Sequence, residues 1–352
     1  MEEMTKQNEK ISRLLKTVLR MFFAVSIIGA LIWFHRKQLL HCLVSFDYRF
    51  VLPALLCYFL QIAAGAWRWR RLALLQGFNL SGFEAFSLTM QGCFFSLVIP
   101  GGAIGGDVVK MGLLAKRRQP GSRAEGIFTV FMDRITGMIA LFALAIVLLL
   151  KFFPKIPEMQ IPGISINTSG IQLAALGVLL LCTAGITAGI AVFFHRVLRK
   201  IPGINWILEK IDSRFNNMAS RMTAMADEYA KYPGTVALLT VASIFFVHLV
   251  LTLPLCFLLA GAGVDLNMEM LILTATAVTV GNIAGLIPLT PGGIGLRDLT
   301  VIAILSAGGI NAGTGEAAQL MSTGLYVIVN LCGGFFFAFD GSRIHSTGNR
   351  NE

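Results

Sequence analysis

The stretch Phe95-Ser96-Leu97-Val98-Ile99-Pro100-Gly101-Gly102-Ala103-Ile104-Gly105-Gly106-Asp107 decides how this chain is read, because it breaks an apolar region of about 83–115. Proline lacks an amide hydrogen and glycine favours irregular backbone, so a helix entering this stretch has to end and another has to begin. The pattern returns in Leu289-Thr290-Pro291-Gly292-Gly293-Ile294-Gly295-Leu296-Arg297-Asp298, inside a second apolar region of about 270–308. Both copies read Pro-Gly-Gly, four residues, then Asp, at an offset of 191 residues (Pro291 against Pro100).

Working outward, six apolar runs are long enough to cross a bilayer, at about 17–34, 50–67, 127–150, 171–194, 236–260 and 319–339. The 191-residue offset carries 50–67 onto 241–258 and 127–150 onto 318–341, so each half reads helix, broken hairpin, helix. The run at 171–194 lies between the halves and reverses the second. The expected fold class is an all-α polytopic membrane protein, with about six full spans plus two opposed Pro-Gly-Gly-broken helical hairpins in an inverted repeat. The chain is then one transmembrane domain, 1–352: a basic tail 1–20, a first repeat 50–150, a linking span and amphipathic segment 171–232, and an inverted second repeat 236–340. Broken helices at membrane depth are tolerated where they pack in protein or line a cavity. Opposed hairpins put that cavity at the repeat interface.

Composition agrees. Hydrophobic residues make up 55% of the chain, charged residues 14%, and the net charge is +10. A soluble domain carries about 25% charged residues, so lipid has to cover this one. The bases sit in short clusters between apolar runs, which points to membrane headgroups and not to nucleic acid. If each hairpin leaves on the side it entered, 22 of the 29 bases fall on one side and six on the other, with Arg134 inside a span. The positive-inside rule then places both termini in the cytoplasm, in the cell (inner, cytoplasmic) membrane. His35-Arg36-Lys37 follows the first run where a cleavage site would stand, so that run is expected to remain as a span. The six cysteines form no C-x-x-C pair, and no metal site or cofactor is expected.

The candidate substrate-binding residues cluster at the breaks. Gly101 and Gly102, and Gly292 and Gly293, precede new helices whose free amides and dipoles favour an anion such as a phosphodiester. Asp107 and Asp298 either cap those helices or serve as a proton or cation site, or orient a nearby base. Lys110 shares the helix face of Asp107. Asp133 and Arg134 lie inside a span, where ionisable groups face the bundle interior or a wet cavity. Arg134 has two candidate partners, Asp107 and a lipid phosphate; a purely structural ion pair is the plainer reading. Arg297 is one of the six bases on its side, a headgroup ligand or an interfacial anchor. The run Trp67-Arg68-Trp69-Arg70-Arg71 reads as an interfacial anchor, and His248 as a buried, hydrogen-bonded histidine rather than a proton relay. The segment 202–232 is amphipathic: a docking face at the membrane surface, or a connecting helix packed on the bundle. No HExxH, P-loop or GxSxG motif marks an enzyme, and no catalytic residue is assigned.

The two Pro-Gly-Gly motifs, Asp133-Arg134 and Arg68-Trp69 together resemble the flippase-like integral membrane family related to the transmembrane region of lysylphosphatidylglycerol synthases. The resemblance runs from about residue 20 to 340. It implies lipid translocation, of an anionic phospholipid or a polyprenyl-linked lipid between leaflets. Lys110 stands where many relatives have Arg, and Asp298 where Glu is commoner; both keep the charge. The soluble aminoacyl-transferase domain of the bifunctional synthases is not expected in this sequence. The rival expectation is a non-transporting membrane subunit that recruits a lipid- or glycan-modifying enzyme through 202–232.

Overall fold

The computed structural model describes residues 44, 46–99, 103–116, 123–152, 168–193, 218–287 and 291–348. The basic tail, the run at 17–34, the segment 202–217 and Pro100-Gly101-Gly102 lie outside the described residues. Within them the chain is helical, with no strand: α1 Val51–Leu75, α2 Gly82–Val98, α3 Ala103–Lys116, α4 Arg123–Phe152 and α5 Thr168–Phe193. Then come α6 Met218–Ala230, α7 Pro233–Gly261, α8 Met268–Ala284, α9 Leu296–Ala307 and α10 Ala312–Gly348. Five of these, α1, α4, α5, α7 and α10, are long and apolar enough to cross a membrane.

Local chemistry sets the boundaries. Ser81 caps α2 by accepting the Glu84 amide at 3.0 Å, in a Ser-x-x-Glu signature. Asn267 caps α8 through the Met270 amide at 2.9 Å. The α2 helix stops at Ile99, whose backbone is extended, as expected for the residue before proline. The span α7 is not a uniform helix. Ile244–Leu249 is a π turn and Val250–Thr252 a 3-10 turn, just ahead of Pro254. Proline cannot donate to the carbonyl four residues back and crowds it, so the helix is re-registered there.

The packing fixes the direction of each element. At one end of the bundle Leu72 of α1, Phe128 and Met132 of α4, Tyr229 of α6 and Leu239 of α7 form a buried cluster. Beside it Trp69 and Ala73 meet Ala85 of α2, Leu114 of α3 and Val130 of α4. At the other end Ala54, Phe152, Leu258, Leu273, Leu305 and Ala318 pack together, from the start of α1, the ends of α4, α7 and α9, and the starts of α8 and α10. The hairpin α2–α3 therefore opens at the first end and α8–α9 at the second. At 1.5 Å per residue, the 14 residues of α3 and the 12 of α9 rise about 21 and 18 Å, short of a hydrocarbon core of about 30 Å. The two hairpins approach each other where Gly292 of the second lies against Leu97 at the end of α2.

Each hairpin also packs on the opposite half. Gly333 of α10 lies so close to the Met90 carbonyl of α2 that a Cβ would overlap it. Ala275 of α8 packs with Leu144 and Leu148 of α4. The outer surface is apolar, with Leu52, Leu56 and Leu60 in a row on α1 and Leu173, Leu176 and Leu180 on α5 exposed. Burial inside the protein cannot account for those residues; contact with lipid chains does. For 218–230 the connecting-helix reading holds: Met222, Met225, Ala226 and Tyr229 turn onto the bundle. The Gln76 amide donates to the Met225 carbonyl at 2.7 Å.

Candidate functional site

A cavity of about 340 Å³ lies in the middle of the bundle, and its walls collect the charged residues of the spans. Arg68, Asp107, Lys110, Asp133, Arg134, Gly292 and Arg297 all line it. Four bases face two carboxylates, an excess of two positive charges in the lining, with His248 counted as neutral. Of the remaining expected site residues, Asp298 and Gly293 sit behind the wall, and Gly101 and Gly102 lie outside the described residues.

The first half supplies an ionic wall. Arg134 of α4 donates through Nε to Asp107 Oδ2 of α3 at 2.7 Å, and its Nη2 lies 2.6 Å from the same oxygen. Asp133, one residue earlier, points elsewhere and accepts from Arg68 Nε of α1 at 2.7 Å. The 100° step between adjacent helical residues separates the two pairs. Arg68 also donates through Nη1 to Ser243 Oγ at 3.2 Å. Its guanidinium lies over Gly137, one turn after Asp133, where a Cβ would come within 3.0 Å of both Nη atoms. The Gly137 carbonyl meets His248 Nε2 at 3.0 Å, from the π turn of α7. The histidine is therefore held by a backbone group, as its plain reading expected. Lys110 Nζ sits 3.7 Å from the Trp69 ring centroid, a cation–π contact.

The anchor reading of Trp67–Arg71 is corrected for its central pair. Arg68 is 8% exposed and Trp69 fully buried, with the indole donating to Thr129 Oγ1 at 3.1 Å. Their environment is the cavity wall and the bundle core, not the interface. Trp67 is 42% exposed, with Arg71 5.7 Å from its ring centroid.

The second tip is built differently. Gly292, Gly293 and Gly295 have φ of 61°, 73° and 99°, a left-handed region that side chains disfavour. The irregular turn delays α9 to Leu296, so Asp298 falls at its third position and Oδ2 accepts the Gly295 amide at 2.8 Å. Asp298 Oδ1 takes Gln319 and Thr323 of α10 at 2.7 Å each and the Arg297 guanidinium at 3.2 Å. Asp298 is thus a cap with its acceptors filled, and it does not reach the cavity. At the first tip α3 has already begun at Ala103, so the matching Asp107 lies in its second turn and faces Arg134. Arg297 sits 4.6 Å from the Tyr326 ring centroid and lines the cavity, which removes the interfacial-anchor alternative.

Sequence reasoning passed over Arg68 as a site residue, and with it the hydroxyl and amide side chains of α10. Ser322, Tyr326 and Asn330 lie four residues apart on one face and line the cavity. That polar stripe in an apolar run was the available signal.

The family described as the lysylphosphatidylglycerol synthase TM region matches residues 21–334. A curated relative, the UPF0104 membrane protein PH1989 of Pyrococcus horikoshii, is 27% identical over 126 residues. That stretch is 36% of this chain and 38% of the archaeal protein, so the chain matches well under half the length of that relative. With the match covering nearly all the described helices, this integral membrane chain belongs to the lysylphosphatidylglycerol synthase transmembrane-region family.

Proposed function

We propose that the protein translocates a lipid with an anionic headgroup, an anionic phospholipid or a polyprenyl-linked lipid, between the leaflets of the cytoplasmic membrane. The observation that carries this reading is the cavity between two opposed hairpin tips, with four bases against two carboxylates in its lining. Its volume, about 340 Å³, suits a headgroup and not a whole lipid. The acyl chains would remain in the bilayer while the headgroup passes the two tips. Matching element order in the two halves, with the second reversed, supports an inverted repeat, in which rocking of one half on the other opens the site to each side in turn. Moving Arg68 and Lys110 from the cytoplasmic tally and Arg297 from the other still leaves 20 bases against five. That asymmetry supports cytoplasmic termini.

The test is a leaflet assay with labelled lipids in proteoliposomes. Wild-type protein should equilibrate an anionic lipid between leaflets faster than empty vesicles. Arg134→Gln should abolish most of the difference, since among the described ion-paired bases of the cavity its side chain is the most exposed, at 40%. Equal rates with and without protein would overturn the reading. The subunit alternative needs the apolar face of 202–232 free for a partner, and in 222–229 that face is already spent on the bundle.

A further inference from the structure

Of the four bases around the cavity, Lys110 alone has no described acid of its own, and we infer that its ammonium binds a monovalent inorganic anion of the chloride class. The inference stands apart from the lipid reading, because it follows from the charge of the wall whatever the cavity carries. Arg68 is committed to Asp133, Arg134 to Asp107 and Arg297 to Asp298. Asp298 sits behind the wall, and counting it with its arginine leaves a surplus of one positive charge among these described residues. That charge is Lys110. Its residue is 5% exposed and lines the cavity. The stem runs past Gly92 of α2, where a Cβ would stand 3.7 Å from Lys110 Cβ and 3.8 Å from Cδ. Nζ ends 3.7 Å from the Trp69 ring centroid. The ring face attracts a cation through its quadrupole but brings no counter-charge.

Asp107 and Asp133 lie within electrostatic reach of the ammonium. Each already serves an arginine, at 2.6 and 2.7 Å, and among the described residues no oxygen accepts a hydrogen bond from Lys110 Nζ. An ammonium carries three donors, and a buried charge without hydrogen bonds or a counter-charge is costly. An anion on the cavity side of Nζ, opposite the indole, removes that cost. The surplus sets its valence. One negative charge brings the wall to neutrality, whereas a dianion such as sulfate turns an excess of one positive charge into an excess of one negative. A halide suits the place, since it accepts from several N–H groups at once and brings no donor that needs a partner of its own. Arg134, with a side chain 40% exposed, stands nearer the open part of the cavity than this lysine. An anionic group entering the cavity therefore meets Arg134 first and competes with the halide for Lys110.

The experiment uses the full chain, purified in detergent, exchanged into sodium gluconate and titrated with sodium chloride at constant ionic strength. Chloride should raise the unfolding temperature by about 2 °C or more and then level off, as a ligand of the folded state does. Sulfate at the same ionic strength should not. Lys110→Met should abolish the rise, and Lys110→Arg, which keeps the charge, should retain it. A second measurement needs no variant at this position. Bromide held beside the Trp69 ring should quench a saturable part of the tryptophan fluorescence, and chloride should relieve that quenching. Trp69→Phe should remove the saturable part. Equal effects of chloride and sulfate, quenching by bromide that never saturates, or full chloride dependence in Lys110→Met would each overturn the inference. A chloride effect confined to Lys110 in a protein that exchanges no lipid between leaflets would keep the anion site and overturn the transport reading alone.

Discussion

Arg68 of α1 and Asp133 of α4 form a buried ion pair in the cavity wall, 2.7 Å apart with side chains 10% and 15% exposed. The pair ties α1 to α4, and Ser243 and Gly137 shape the slot that holds the guanidinium. Breaking such a pair strands a charge, whereas removing both charges does not. Arg68→Met should therefore lose about 3–5 kcal/mol of stability. Arg68→Met with Asp133→Leu should recover most of it. Thermal unfolding in detergent checks both, and a double variant as unstable as the single one would remove the pairing argument.

The two aspartates at equivalent motif positions should behave differently. Asp298→Ala strands Arg297 and removes the cap of α9, so it should cost about 3 kcal/mol or more and lower expression. Asp107→Asn faces a partner guanidinium that is 40% exposed, so screening limits the loss to about 1 kcal/mol. Its effect should fall on lipid exchange instead. Unfolding temperature and leaflet exchange measured side by side separate the two, and equal destabilisation would show that the halves are alike.

The helices of the first hairpin cross at glycine. A Cβ on Gly106 would collide with the Gly92 carbonyl, while one on Gly112, six residues along α3, would meet nothing within 4 Å. Gly106→Ala should destabilise by about 1–3 kcal/mol through overpacking. Gly112→Ala should be neutral or gain up to about 1 kcal/mol, because alanine favours helix. Identical shifts in unfolding temperature would mean that the crossing is looser than the structure has it.

Much of this architecture was legible because it depends on local chemistry. Pro291-Gly292-Gly293 breaks a helix in any context, and the span at 127–150 has the length of a bilayer whatever it packs against. What was not legible depends on how far a helix start is delayed. The spacing from proline to aspartate is the same in both motifs, yet Asp107 faces a cavity and Asp298 caps a helix, because α3 begins three residues after its proline and α9 five. Arg68 and Trp69 were misplaced for a different reason. A tryptophan–arginine run at the end of an apolar stretch suits an interface by composition. Only the tertiary partners Asp133 and Thr129 show that this helix end is covered.

The opposed hairpins put their two entry loops at opposite ends of the bundle. Asn79, in the exposed link before α2, lies at the end where α1 finishes and α4 begins. Asp265, in the exposed link before α8, lies at the end where α7 and α9 finish. With 20 bases outside the cavity on the first side, that side is expected in the cytoplasm. An impermeant maleimide added to intact cells should then label Asp265→Cys and spare Asn79→Cys until the membrane is opened. The native cysteines set the background, which the unsubstituted chain measures. Labelling of both substituted positions from outside would place the two hairpin mouths on one face. The tips could then no longer meet within the bilayer, and the cavity between them would lose its means of facing each side in turn.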